Sequence, residues 1–248
     1  MEQRSQTRIP DIRADISKRT IREMISDKIV SLIASGVLQL GDELPSEREL
    51  ATILSVSRET VRSAIQLLVG RDIVEVSHGA RTRVKRIDVA TDTIGMAGAN
   101  VINRYDLRSV HGARQLVELQ VVSDAAEHID RQTLAFLQLS LKKQREYVDD
   151  PVGFLICDKE FHFAIYRCAP NPLLVDLVSD LYSYMLEHRR IVMAQPGAIA
   201  RSYGDHLVIY EALASGDRAA TAEAFRRHIN EIYLTSMPVM EPEKTDHA

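Results

Sequence analysis

The chain has 248 residues, 45% apolar and 27% charged, enough apolar sequence for a real core and too much for intrinsic disorder. No run approaches the ~18 uninterrupted apolar residues of a membrane span, the opening residues lack the apolar stretch of a secretory signal, and two cysteines, Cys157 and Cys168, make no disulfide framework; the expected address is the cytosol. The formal charge of −4 is unevenly spread: residues 1–86 sum to +3 and the remaining 162 to −7, so a basic head sits on an acidic body and two modules with different partners are expected.

Residues 1–17 are polar, carry Arg4, Arg8 and Arg13, show no apolar period, and are expected to be a flexible arm. From Thr20 the pattern turns helical, with Ile21, Met24, Ile25, Ile29, Leu32 and Ile33 on one face and Gly36 as the stop. A loop leads to PSERELA, Pro45 to Ala51, where Ser46 and Glu49 stand at capping-box spacing. After a break at Ser55-Val56-Ser57, a third helix buries Val61, Ala64, Ile65 and Leu68. The period then drops to two: Val74 and Val76, a turn at His78-Gly79-Ala80, then Thr82 and Val84. Three helices and a hairpin over 18–86 are the order of a winged helix-turn-helix.

Residues 87–105 read as a linker. Everything from Asp106 is helical in pattern: runs near 106–128, 131–147, 151–168, 172–193, 199–214 and 217–236, with 237–248 as a flexible tail. The expected fold is therefore mostly α, a winged helix-turn-helix with a small β-hairpin followed by an all-α helical bundle over 106–236.

The third helix opens SRETVRSA and presents Ser57, Arg58, Thr60 and Arg62 on its polar side. Short donors and forked guanidinium groups in the first turns of a helix suit the major groove, where arginine grips guanine through two bonds and the helix N-terminus attracts phosphate. Arg48 on the preceding helix stands where a backbone contact is needed, and His78-Gly79, followed by Arg81 and Arg83, is placed as a wing for a neighbouring groove. PSERELA, SRETVRSA and a hairpin tipped by HG together resemble the winged-helix domain of the GntR family of bacterial regulators. That resemblance gives Arg48, Arg58, Thr60, Arg62 and Gly79 the DNA-contact roles, makes His78 similar to the wing-tip residue of the fatty-acid-responsive branch, and implies a dimer on a palindromic operator.

In the body, DKEFHFAI places Asp158 and His162 four residues apart, on one helix face. His206 and His228 lie 10 and 12 residues either side of Gly216, so an antiparallel hairpin sets both imidazoles within ~3 Å of the same height at about 1.5 Å per residue. One carboxylate and three imidazoles suit a divalent transition metal with positions left open; a lone histidine is more often a capped side chain, so the spacing by itself leaves that choice open. Arg114 and Glu118 in R-x-x-x-E order, DKEFHFAIYRCAPNPLL, and H-x-x-I-Y-x-A-L-x-x-G-D with His228 eleven residues after Asp217 are together similar to the metal-containing FCD ligand domain of the FadR subfamily. The resemblance implies Asp158, His162, His206 and His228 as ligands of one divalent ion per chain, zinc first, then nickel or manganese. It further implies Arg114 as the holder of an effector carboxylate, with Asn230, Arg167 and Arg190 lining the same cavity. Asn171 and the H-x-N at 228–230 resemble the sialic-acid-responsive repressors, too short a match to name the effector.

The expected function is a metabolite-responsive DNA-binding transcriptional regulator, a repressor, homodimeric, cytoplasmic, and switched by a small carboxylate or sugar acid. The alternative is a metal-dependent enzyme of hydrolase or oxygenase type, against which stand the DNA-reading head and the absence of a general base at fixed short spacing from the ligands. His111, His128, His188 and His247 are expected on the surface or on helix faces. Tyr182, Tyr184 and Tyr233 are expected in the core or at a dimer interface, and both cysteines are expected to serve burial alone.

Overall fold

A computed structural model describes residues 20–76, 81–87, 102, 104–184 and 186–240, without the side chains of 187, 188 and 240. The expected N-terminal arm, the wing tip at His78-Gly79, most of the expected linker and His247 lie outside the described residues.

The N-terminal part is built from α1 (Ile21–Ala34), α2 (Glu47–Ile53), α3 (Arg58–Gly70), β1 (Val74–Glu75) and β2 (Arg83–Val84). Both capping boxes form: Thr20 with Glu23 starts α1, and Ser46 with Glu49 starts α2, each exchanging two bonds that satisfy otherwise orphaned amides. Ser57 caps α3 by accepting from the Thr60 amide. The strands pair antiparallel with Val74 opposite Val84 and Glu75 opposite Arg83. α1 and α2 pack on α3, and Ile29, Leu50, Val61, Ala64, Leu68, Val74 and Val84 close the core between them. This is a helix-turn-helix with a short two-stranded sheet after it.

The C-terminal part is entirely helical among the described residues: α4 (Leu107–His128), α5 (Arg131–Glu146), α6 (Pro151–Tyr166), α7 (Pro172–Ser183), α8 (Leu186–Met193), α9 (Ala198–Ser215) and α10 (Arg218–Met240). Side chains of Asp106, Asp130, Asp150 and Asn171 cap α4, α5, α6 and α7 in turn. α4 packs on α10 and α7, α5 on α6 and α9, and α9 on α10. Twelve of the sixteen residues of α6 are buried, so it runs through the middle of the bundle rather than along its surface.

Two expectations change here. The run 172–193 is two helices, because Tyr184 leaves the helical region (φ −60°, ψ 133°) and donates its hydroxyl to the Tyr105 carbonyl at 2.8 Å. No proline or glycine marks that break, so the apolar period passes straight through it. The last helix continues to Met240, with Pro238 inside its final turn, where one missing amide costs a single backbone bond and the expected tail from 237 has not yet begun.

A polar seam joins the two parts. Lys28 on α1 pairs with Glu160, and Lys159 donates to the Ser31 hydroxyl at 2.9 Å. Arg190 on α8 donates to the Val37 carbonyl at 3.1 Å and pairs with Asp42.

Candidate functional site

At the head, Arg48 and Arg58 are exposed and have no hydrogen-bond or ion-pair partner for their side chains among the described residues. Ser57 and Thr60 share a hydroxyl contact of 2.7 Å at the start of α3. Arg62 is committed differently: it forms a fork on Glu47 of α2 (Nε–Oε2 3.2 Å, Nη2–Oε2 2.9 Å) and lies 3.5 Å from Glu59. It therefore braces α3 against α2 and must exchange a carboxylate for any phosphate it contacts. Arg83 is likewise paired with Glu43, at 2.5 Å.

In the body, Asp158 and His162 on α6, His206 on α9 and His228 on α10 converge. Four ligand-type atoms, one from each residue, lie within 4.8 Å of one another, and all four residues are at most 1% exposed. His162 Nε2 is 3.2 Å from His206 Nε2, and Asp158 Oδ1 is 3.3 Å from His206 Nε2 and 3.8 Å from His162 Nε2.

The far side of each imidazole is fixed. His206 Nδ1 lies 2.7 Å from Gln144 Oε1 and His228 Nδ1 lies 3.2 Å from Asp205 Oδ2, so both must carry their proton on Nδ1. Tyr166 donates its hydroxyl to Glu118 (2.5 Å), which leaves its oxygen to accept from His162 Nδ1 at 3.4 Å. All three Nε2 atoms consequently present lone pairs to one point. His162 Nε2 and His206 Nε2 stand 3.2 Å apart, and Asp158 Oδ1 and His228 Nε2 lack any hydrogen-bond partner, an arrangement that a bound cation would complete. A buried polar atom left unsatisfied costs about 1–3 kcal/mol. The donor set, three neutral nitrogens and one carboxylate oxygen, fits a divalent transition ion with room for further ligands.

The electrostatics agree. Burial alone would raise the Asp158 pKa, but the Arg189 guanidinium, then His206 and the Tyr182 hydroxyl, outweigh it and hold the carboxyl below its ordinary value. Burial pushes His162 well below the usual imidazole range, with His206 and His228 adding to the effect, and brings His206 down to about 3 against the pull of Asp158. Those two imidazoles are neutral near pH 7, the form that coordinates metals.

Gln144, Asp205, Tyr166 and Glu118 orient the ligands, and none was singled out from the sequence for that role. Gln144→Ala and Asp205→Ala are each expected to weaken metal binding about 10–100-fold, since outer partners of ligating histidines contribute on that scale. Competition with a chromophoric chelator measures this; affinities equal to wild type would make both contacts incidental.

The residues expected around the effector are dispersed. Arg114 is 7% exposed and bidentate on Glu118 (Nε–Oε2 2.8 Å, Nη2–Oε1 3.2 Å), three contacts from His162 through Glu118 and Tyr166. Asn230 accepts from Gln115 at 2.9 Å. Arg167 is exposed, its guanidinium 5.9 Å from the Phe163 ring centre, and Arg190 turns to the head, so neither joins the cluster. The adjacent Arg189 does: it is 2% exposed, 3.0 Å from Asp158 Oδ2, and 5.3 Å from the Tyr182 ring centre. Its only sequence signal was the doublet at 189–190. Tyr182 donates to the same oxygen, Asp158 Oδ2. His111, expected on the surface or on a helix face, is half-buried on α4 and stacked on Tyr233 with ring centres 4.2 Å apart. Cys157 is buried and Cys168 half-buried; both are free thiols, and burial pushes both pKa values up.

The head thus has the shape of a DNA-reading regulator and the body that of a helical ligand domain. Comparison with known families agrees: residues 21–84 match the gntR family of bacterial regulatory proteins and residues 109–231 match the FCD domain. The chain belongs to the GntR family, with an FCD domain as its C-terminal part, and is a regulator rather than an enzyme. It is 27% identical over 236 residues to the HTH-type transcriptional repressor NanR of Salmonella newport, covering 90% of this chain and 88% of that protein. The repressor of the same name from Salmonella typhimurium is also 27% identical, over 90% of this chain and 87% of its own length. Among solved structures, E. coli McbR/YncC shares the fold, with a TM-score of 0.52 at 20% identity over 89% of this chain and 99% of that one. Among the described residues, no helix is long and apolar enough to cross a membrane.

Proposed function

We propose that this protein is a metabolite-responsive transcriptional repressor of the FadR type that binds a palindromic operator as a homodimer in the cytoplasm. Residues 18–86 form the reading head, 87–105 the linker, and 106–236 the effector-binding and dimerising body. Arg48, Ser57, Arg58, Thr60 and Arg62, with the wing at His78-Gly79, contact DNA. Asp158, His162, His206 and His228 hold one divalent ion, zinc before nickel or manganese, and a small carboxylate or sugar acid completes the site. The observation that carries the proposal is the convergence of three oriented Nε2 atoms and an unpartnered Asp158 Oδ1 in a body joined to a helix-turn-helix. The relatives named as repressors support the direction of control.

When bound, the ion supplies a Lewis-acid position for an anionic ligand. The protein does the rest. Gln144 and Asp205 fix two imidazoles, Tyr182 and Arg189 hold Asp158, and the bundle excludes water. A ligand bound there can alter operator affinity only by favouring one head arrangement over another. Selection of genomic fragments by the full-length, zinc-loaded protein, in the presence of excess unrelated DNA, tests this. Enrichment of an inverted repeat is expected; uniform recovery of fragments would refute the regulator of a defined operator.

A further inference from the structure

The four converging ligands are at most 1% exposed, so an ion reaches them only by some route through the bundle. Two clefts flank α10, with Ile232 in the wall of both. The first lies against α4 and α8; Arg114 and Arg189 line it with no carboxylate, and Arg189 stands there against Asp158 Oδ2, a wall that repels a dication. The second lies between α8, α9 and α10, and a ligand, His228, is part of its wall, beside Ser202, Asp205, Glu231 and Thr235. Ser202 is 7% exposed, yet its hydroxyl has no hydrogen-bond partner. Glu231 is exposed, and its carboxylate has no partner among the described residues. Against the two carboxylates this lining holds one cation, Arg201, while Arg227 rests 3.3 Å from Asp205 Oδ1. Oxygens thus lead from the surface at Glu231, past the buried Ser202, to the imidazole of His228. That ring is also the more loosely held of the two on α9 and α10: its bond to Asp205 is 3.2 Å, against 2.7 Å from His206 to Gln144, and its Nε2 has no partner.

We propose that this second cleft is the port through which the metal ion reaches and leaves the cluster. Glu231 attracts the hydrated dication at the mouth, the Ser202 hydroxyl replaces a water as the ion sheds its shell, and His228 turns on its Asp205 bond to receive it. This rests on the metal site proposed above and adds its route of exchange. Glu231 and Ser202 lie outside the final set of ligands, so they act on the barrier and not on the bound state. Uptake and release are therefore slowed together when either is lost.

Zinc alone is the probe. Stopped-flow mixing of chelator-stripped, full-length protein with zinc gives the uptake rate, and mixing of the loaded protein with excess chromophoric chelator gives the release rate. Glu231→Gln is expected to slow both by a common factor, roughly threefold or more at about 10 mM salt, and the difference is expected to fade at about 500 mM as screening shortens the reach of the charge. Thr235→Phe hangs a ring over the same cleft from a half-buried position whose hydroxyl bonds only its own helix. It is expected to slow both rates roughly tenfold or more by raising the barrier, with the affinity, their ratio, within about threefold of wild type. Wild-type rates in both variants overturn the port. So does slower uptake by Glu231→Gln with release unchanged or faster, which makes Glu231 part of the bound site instead of the route. If Thr235→Phe fails to fold, Glu231→Gln and its salt dependence decide alone. A wild type that takes up no zinc overturns the metal site and the port together, a result distinct from a wild type that loads zinc at rates the variants share.

Discussion

Replacing Arg58 with alanine should abolish the proposed selective operator binding while leaving the fold and the proposed dimer intact. Arg58 is the first residue of α3, exposed and unpaired among the described residues, on a helix start already fixed by Ser57. Truncating it removes no buried contact. A bidentate arginine–guanine pair is worth roughly 1–3 kcal/mol, and a dimer forfeits it in both half-sites, about 2–6 kcal/mol or roughly thirtyfold to ten-thousandfold in affinity. Fluorescence anisotropy on the selected operator, beside a scrambled sequence, measures the loss. Wild-type discrimination in a folded, dimeric Arg58→Ala protein would move the recognition element elsewhere. Arg62→Ala is the informative comparison, because its guanidinium must leave Glu47 before it can touch DNA.

His206→Ala combined with His228→Ala should convert a protein carrying about one transition-metal ion per chain into one carrying none. Two of the four converging donors go, each from a different helix, so neither α9 nor α10 keeps a ligand. Zinc at a hundredfold excess over its dissociation constant stabilises the wild type by about 2.7 kcal/mol, which for a chain of this size is roughly 5–10 °C in Tm. That increment should vanish in the double variant. Elemental analysis with thermal melts, with and without zinc, decides the matter. A wild-type protein purified without chelator, free of metal and indifferent to zinc, is the outcome that defeats the metal site.

Much of this was legible because it is local. Ser46 with Glu49 declared a helix start three residues long in sequence, and both reciprocal bonds are present. The spacing of Asp158 and His162, and the near-equal distances of His206 and His228 from Gly216, were enough to bring four residues on three helices together. The His206 and His228 rings are 4.8 Å apart. What could not be read was whatever depends on the angle between elements. Asp205 is next to His206 in sequence yet serves His228, and Gln144 comes from a helix 62 residues away. The break at Tyr184 leaves no trace in the apolar period, and it separates the helix bearing Tyr182 from the one whose Arg189 enters the cluster while Arg190 turns to the head. A pattern that treats 172–193 as one straight helix has no means of telling those two arginines apart.

The seam between head and body carries an obligation that neither part shows alone. On α6, Asp158 faces the ion pocket and its neighbours Lys159 and Glu160 grip α1; on α8, Arg189 faces inward and Arg190 grips the loop at 37–42. Consecutive residues of one helix share a rigid backbone, so neither group can be displaced without carrying the other along. Traffic across such a joint runs in both directions. Whatever factor a pocket ligand imposes on the affinity for DNA, DNA must impose on the affinity for that ligand. Under the proposed function the nucleic acid is itself a modulator of the pocket, and a head seated on its operator and one free in solution should sense different concentrations of the same metabolite.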